Sequence, residues 1–128
     1  MKKIIQYLMM LALGLMATSC YYDELPADKV GTLPEVVSYS KDIQPLWSED
    51  CISCHKTGAP IAPDLTVGNS YVALTANNKY VVPGNAANSI LYKALLGQGA
   101  PLMPPGGETT ATEIALVEKW INDGALNN

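Results

Sequence analysis

The sequence predicts a small all-α domain of three or four helices joined by long loops. Apolar residues recur at helical spacing in three separate segments, whereas no stretch alternates convincingly in the manner of a half-buried strand. The chain of 128 residues also contains 10 glycines and 9 prolines, many of them between the predicted helices. Long irregular loops are uncommon in so small a domain unless they serve a function, so we expect them to surround a bound group.

The N-terminal residues have the pattern of a secretory signal peptide. Lys2 and Lys3 precede an apolar run over residues 4–16, which is shorter than the roughly 20 residues that a membrane-spanning helix requires. Small residues then lead to ATSC, which resembles the lipobox of bacterial lipoproteins, where the cysteine is lipidated and becomes the first mature residue. We therefore expect residues 1–19 to be a signal peptide and Cys20 to carry a lipid anchor.

Residues 20–40 are predicted to be a flexible tether between the lipid and a domain over residues 41–128. The segment mixes acidic residues, prolines and a glycine without periodicity. Without Lys2 and Lys3, six basic residues face 12 acidic ones, and the chain contains no arginine. This charge balance argues against nucleic acid as a partner, because no basic patch can neutralise its phosphates.

The first helix of the domain is predicted to begin at Asp42 and to lead directly into a cysteine pair. Asp42 is a good N-cap residue, and Pro45 falls in the first turn, where its missing N–H costs nothing. Ile43, Leu46 and Trp47 follow at i, i+3 and i+4, which places them on one apolar face.

Three further helical segments are predicted. A weak helical turn covers residues 69–74, and a clearer helix covers residues 88–96 and stops at Gly97. The last helix begins with a capping box at Thr110 and stops at Gly124. Its apolar stripe, which we expect in the core, consists of Ile114, Val117, Trp120 and Ile121.

The segment CISCHKTG contains Cys51, Cys54 and His55, the sole histidine of the chain. C-x-x-C-H is the attachment signature of c-type haem, because two thiols on one helical turn can bond the haem vinyl groups while the histidine meets the iron. The alternatives are a zinc site, which needs about four ligands, a thioredoxin-like pair, which needs a βαβ unit, and a structural disulfide. The haem interpretation is favoured because it gives His55 a defined role, as a ligand of the iron.

Met103 is the only methionine outside the predicted signal peptide, and it lies in the irregular loop GAPLMPPGG. The following proline and the flanking glycines favour a held, tightly turning backbone. We therefore predict Met103 as the second axial ligand opposite His55. The alternatives are Lys56, Lys79 or Lys93, or an open sixth position.

These features together resemble class I c-type cytochromes, and especially the small domains of exported bacterial proteins with D-I-x-P before the haem motif. The resemblance covers residues 42–124, from DIQP through C-x-x-C-H and MPP to the C-terminal helix. It implies a cytochrome c fold wrapped around one covalent haem c, in which the first and last helices cross. Ile43, Leu46 and Trp47 would then pack on the apolar stripe of the last helix.

The resemblance also implies a proline carbonyl that accepts a hydrogen bond from the histidine ligand, which fixes its ring and raises its basicity. The segment APDL makes Pro63 the candidate, with Pro60 as the alternative. Three tyrosines, which are otherwise expected to be packing residues, are candidates to reach a haem propionate: Tyr71, Tyr80 and Tyr92.

The function implied is electron transfer by a haem with His55 and Met103 as axial ligands, without enzymatic activity. The alternative is a haem-based small-molecule sensor or a peroxidase-like enzyme with a displaceable sixth ligand. The expected partners are redox proteins, such as membrane complexes, and the lipid membrane through Cys20. The protein is expected to be exported and lipid-anchored, in the periplasm or at the cell surface.

Overall fold

The described part of the chain is helical and contains no strand. The computed structural model describes residues 30–47, 49–107 and 109–128. Its α-helices, in chain order, are α1 (Glu49–Ile52), α2 (Ser70–Thr75), α3 (Ile90–Leu96) and α4 (Ala111–Asn122). The prediction of an all-α domain is therefore confirmed for these residues. Within them, no helix is both long enough and apolar enough to cross a membrane.

The first helical segment differs from the predicted one. It begins at Tyr39 as a π-helical turn capped by Ser38, and the Asp42 carboxylate accepts a 2.7 Å hydrogen bond from the Ser38 amide. A 3-10 turn, Gln44–Leu46, follows at once. Pro45 lies in that turn, and because it has no N–H, it cannot donate to an α-helical ladder. The backbone leaves the helical region at Trp47 (ψ 67°), so Cys51 lies on a separate helix, α1, and Cys54 lies in the turn that follows it.

The packed domain begins earlier than the expected boundary at residue 41. Val37 and Tyr39 are each only 4% exposed and belong to the core. Asn128 holds the same stretch, because its Oδ1 accepts from the Tyr39 amide (2.8 Å) and its Nδ2 donates to the Val37 carbonyl (3.3 Å). The end of the expected tether is therefore part of the fold. Periodicity does not reveal this apolar burial in so short a stretch. The predicted signal peptide and Cys20 lie outside the described residues.

The two middle helices agree with the sequence in position. Asn69 precedes α2, and α3 ends where Gly97 takes the left-handed conformation (φ 66°). The expected start of α3 at residue 88 is two residues early, because Ser89 is extended (ψ 125°) and separates α3 from a 3-10 turn, Ala86–Asn88. The short loop between Gly97 and Met103 then returns the chain to α3.

The last helix has the predicted capping box and the predicted buried stripe. The Glu113 amide donates to Thr110 Oγ1, and the Thr110 amide donates to the Glu113 carboxylate at 2.7 Å. Its predicted apolar residues are all buried: Ile114, Val117, Trp120 and Ile121. This helix packs against the turn Tyr39–Ile43, and both contribute to one hydrophobic core.

An aromatic cluster lies at the centre of this packing. Tyr39 lies 5.1 Å from Tyr71 and 5.2 Å from Trp120 between ring centroids. The Tyr39 hydroxyl donates to Ser70 Oγ at 2.6 Å and accepts from Trp47 Nε1 at 3.4 Å, and burial raises the pKa of this phenol. The cluster joins the first helical turn to α2 and α4, and Trp47 extends it to the wall of a cleft.

Candidate functional site

An apolar cleft with a volume of about 290 Å³ lies beside α1 and α3. Its floor includes side chains that are buried in the core, such as Leu65, Leu74 and Leu95. Chain segments distant in the sequence supply the rest of its walls: Trp47, Cys51, Cys54, His55, Ile61, Ala62, Pro63, Tyr80, Ile90, Leu91, Ala94, Ala100, Pro101, Met103, Pro104 and Pro105. The four residues predicted to attach the haem or bind its iron therefore all line this one cleft: Cys51, Cys54, His55 and Met103.

The turn after α1 brings the cysteine pair and the histidine together. The amides of Cys54 and His55 both donate to the Cys51 carbonyl, at 3.3 and 2.9 Å. Cys51 is half-buried, Cys54 is exposed, and no disulfide joins them. These local helical hydrogen bonds explain how the side chains of Cys51, Cys54 and His55 reach one cleft from a stretch of five residues.

The His55 ring is held by a backbone carbonyl. Its Nδ1 lies 3.0 Å from the carbonyl oxygen of Pro63. Because a carbonyl can only accept, Nδ1 carries a proton, and in the neutral imidazole Nε2 then keeps its lone pair. The Leu65 amide also donates to the His55 carbonyl at 2.9 Å. Of the two prolines considered from the sequence, Pro63 has this contact, whereas Pro60 is exposed.

Met103 is half-buried and reaches the cleft from the loop after α3. Its amide donates a 2.9 Å hydrogen bond to the Ala94 carbonyl. Gly107 has a φ of 73°, and a Cβ there would lie 3.3 Å from the Leu102 side chain, so the loop depends on glycine at this position. None of the lysines considered as alternative ligands lines the cleft: Lys56, Lys79 and Lys93.

The three candidate tyrosines have different surroundings. Tyr80 lines the cleft, and Lys79 Nζ lies 4.9 Å from its ring centroid. The Tyr71 hydroxyl donates to the Ala125 carbonyl at 2.9 Å, which is a packing role. Tyr92 is half-buried, and burial together with the negative charge of Glu118 raises its pKa to about 12. Only Tyr80 of the three is therefore positioned to touch a group in the cleft.

A polar network around Asp64 was not foreseen from the sequence. Its carboxylate accepts hydrogen bonds from Thr57, Thr66 and Asn69. The bond from the Thr57 hydroxyl, followed by those from Thr66, lowers the pKa of Asp64 from 3.8 to about 2. The Asp-x-Thr pattern of residues 64–66 does indicate one part of this network, the hydrogen bond from the Thr66 amide. An aspartate side chain readily accepts from the backbone two residues further on.

Comparisons with protein-family models, with curated proteins and with solved structures found no match for this chain. The functional interpretation therefore depends on the C-x-x-C-H motif and the geometry of the cleft. Among the described residues, no group of three or more His, Cys, Asp or Glu side chains is arranged to hold a metal ion. The donors that line the cleft are two thiols, one imidazole and one thioether.

Proposed function

We propose that this protein is an electron carrier of the class I c-type cytochrome kind, with one covalent haem c in the apolar cleft. The observation that carries the proposal is the convergence of Cys51, Cys54, His55 and Met103 on that cleft. Met103 lies in the loop that follows α3, 48 residues after His55 in the sequence. The C-x-x-C-H motif therefore does not by itself place Met103 in the cleft. The cytochrome c fold is part of the proposal.

The chemistry of the cleft fits a haem. A porphyrin is large, flat and mostly apolar, and the cleft walls are mostly aliphatic, aromatic and proline side chains. A structural zinc ion would instead need about four nitrogen, sulfur or oxygen donors around one point. The described chain offers no such cluster of His, Cys, Asp and Glu.

Each of the four residues has its own role in this proposal. The thiols of Cys51 and Cys54 form the thioether links that hold the haem. His55 presents Nε2 to the iron because Nδ1 donates to the Pro63 carbonyl. Met103 supplies a soft sulfur ligand, which favours ferrous iron and raises the reduction potential relative to a second nitrogen ligand. The haem supplies one-electron exchange, and the chain supplies its orientation and an apolar surround.

The alternative, a sensor or a peroxidase-like enzyme, has less support. Acid–base catalysis needs a titratable side chain within reach of the reacting group. The cleft walls in the described chain include no carboxylate, lysine or arginine, and His55 is their only histidine. A site of this composition suits transfer of electrons better than proton chemistry.

The location and partners are proposed from the sequence. Residues 1–19 would direct export and be removed, and a lipid on Cys20 would then hold the domain at a membrane surface through the expected tether. The excess of acidic over basic residues suits encounter with redox proteins through a basic surface. Membrane complexes that exchange electrons are the partners this arrangement fits.

A test for covalent attachment of the haem checks the proposal. The protein is expressed in an exporting host that carries a haem-attachment system, and denaturing gels are stained for haem. We expect haem to stay with the wild-type chain and with Ser53→Ala, a control change inside the motif. The double variant Cys51→Ser, Cys54→Ser should lose it. Haem that extracts from the wild type into acidic solvent would contradict the proposal.

A further inference from the structure

In the sequence, Asp64 lies between Pro63 and Leu65, whose backbone groups both hydrogen-bond to His55. On one side, the Pro63 carbonyl accepts from Nδ1 of the ring at 3.0 Å. On the other, the Leu65 amide donates to the His55 carbonyl at 2.9 Å. The ring and the backbone of His55 are thus both held by the immediate neighbours of Asp64, so the position of Asp64 affects both contacts.

The Asp64 carboxylate is itself held by donors from three residues. One oxygen accepts from Thr57 Oγ1 (2.6 Å) and Asn69 Nδ2 (3.2 Å), and the other accepts from the amide (2.9 Å) and hydroxyl (2.6 Å) of Thr66. Asn69 Nδ2 also donates to Thr57 Oγ1 at 3.1 Å, which closes the network. Hydrogen bonds to an ionised carboxylate are roughly twice as strong as neutral ones.

The segment that this network crosses has little apolar burial to fix its path. Residues 56–58 and 60–62 are exposed, and Gly58 lies in open space with a φ of 80°. Asn69, by contrast, immediately precedes α2. The network therefore connects Thr57, two residues after His55, to Asn69 at the start of α2. Pro63 lies between these two residues in the chain.

We propose that Asp64 is a positioning residue, which holds the Pro63 carbonyl against His55 and so keeps the ring in the tautomer whose Nε2 can bind the iron. The inference rests on the proposed function for the role of that iron. A histidine ligand whose other N–H donates to a carbonyl has a fixed ring and raised basicity. Asp64 acts through Pro63 and does not touch the ring or the cofactor.

The first experiment measures the reduction potential of the haem-loaded protein. Thr57→Val removes one donor to Asp64 without changing any charge, whereas Thr57→Ser keeps the hydroxyl. We expect Thr57→Val and Asp64→Asn to raise the potential, because a weaker bond to the Pro63 carbonyl makes the imidazole less basic. Thr57→Ser should match the wild type. Asp123→Asn, which removes the carboxylate that pairs with Lys119, controls for charge alone.

The second experiment measures hydrogen exchange at the Leu65 amide, which donates to the His55 carbonyl. We expect Asp64→Asn and Thr57→Val to speed this exchange by about tenfold or more, the factor that corresponds to loss of one hydrogen bond to a charged group. Thr57→Ser and Asp123→Asn should exchange at the wild-type rate. Unchanged potential in Asp64→Asn and Thr57→Val would overturn the inference, even if the exchange is faster.

A third measurement separates this inference from the proposed function. If the protein as purified carries no haem, the proposed function fails, and nitrogen-15 NMR of the imidazole then decides the inference. His55 is the only histidine, so its ring signals need no assignment. Well above the ordinary imidazole pKa of roughly 6.5, the wild type should hold the proton on Nδ1. A mixed tautomer in the wild type, or no change in Thr57→Val, would overturn the inference.

Discussion

The amide of Met103 donates a 2.9 Å hydrogen bond to the carbonyl of Ala94, a residue of α3. The chain between them turns back at Gly97, where a Cβ would lie 3.3 Å from the Leu102 side chain. This bond fixes the start of the MPP segment against a helix. As a result, the Met103 side chain lines the same cleft as His55.

The first prediction concerns the sixth ligand. Met103→Ala should leave the haem attached through its thioethers but open one axial position. We expect a high-spin or water-ligated optical spectrum, ready binding of carbon monoxide and a lower reduction potential than that of the wild type. Met103→His should restore the low-spin spectrum but keep the potential low, because a second nitrogen favours ferric iron more than sulfur does.

The control for that experiment is the neighbouring residue. Leu102 is exposed and does not line the cleft, so Leu102→Ala should keep the low-spin spectrum. The decisive contrary result comes from the unaltered protein. If wild-type iron is already high-spin and binds carbon monoxide freely, the sensor or enzyme alternative replaces the electron carrier.

The second prediction concerns the lipid anchor. Cys20→Ala should abolish incorporation of labelled fatty acid. One acyl chain gives only marginal attachment, so stable association of the wild type requires more than one chain. Cys54→Ser serves as the control, because it removes a thiol elsewhere and should leave the labelling intact. Unlabelled wild-type protein in the soluble fraction would refute the anchor.

The third prediction concerns the start of the domain. Tyr39→Ala should lower the free energy of unfolding by about 3–5 kcal/mol, because it removes a buried aromatic ring that contacts Tyr71 and Trp120. Tyr39→Phe should cost about 1–2 kcal/mol, since it leaves the Trp47 indole N–H without its acceptor. Both are measured by urea denaturation.

Val36 provides the matched control for Tyr39. It lies three residues earlier in the stretch expected to be a tether, and it is 69% exposed. Val36→Ala should therefore change the free energy of unfolding by no more than about 0.5 kcal/mol. If Tyr39→Ala were equally harmless, the domain would begin after residue 40, as the sequence suggested.

The fourth prediction concerns acid. The pKa of Asp64 is lowered to about 2 in the fold, from an ordinary 3.8, so its contribution to stability is complete above about pH 4. That contribution should be lost progressively as the pH falls from about 4 through 2, because protonation weakens the bonds from Thr57 and Thr66. Thermal unfolding at pH 5 and pH 2.5 should show a smaller acid-induced loss in Asp64→Asn than in the wild type. Equal losses would show that the network does not depend on the charge.

The elements that the sequence determined are those encoded by neighbouring residues. The capping box at Thr110 and the stop at Gly97 follow from side chains and backbone freedom within a few positions. The C-x-x-C-H motif is local in the same sense, because hydrogen bonds within one helical turn to the Cys51 carbonyl bring its members together. The apolar stripe of α4 was predictable because helical periodicity alone places it on one face.

The tertiary structure decided what depends on contacts between distant segments. Ile43 lies at i+4 from Tyr39, but the burial of Tyr39 against Tyr71 and Trp120 appears only when α2 and α4 pack around it. The choice of Pro63 over Pro60 depends on the path of an exposed loop, which hydrogen bonds to Asp64 fix. Met103 reaches the cleft through its bond to Ala94. Such contacts form only when separate segments bury apolar surface together, and spacing along the chain does not encode them.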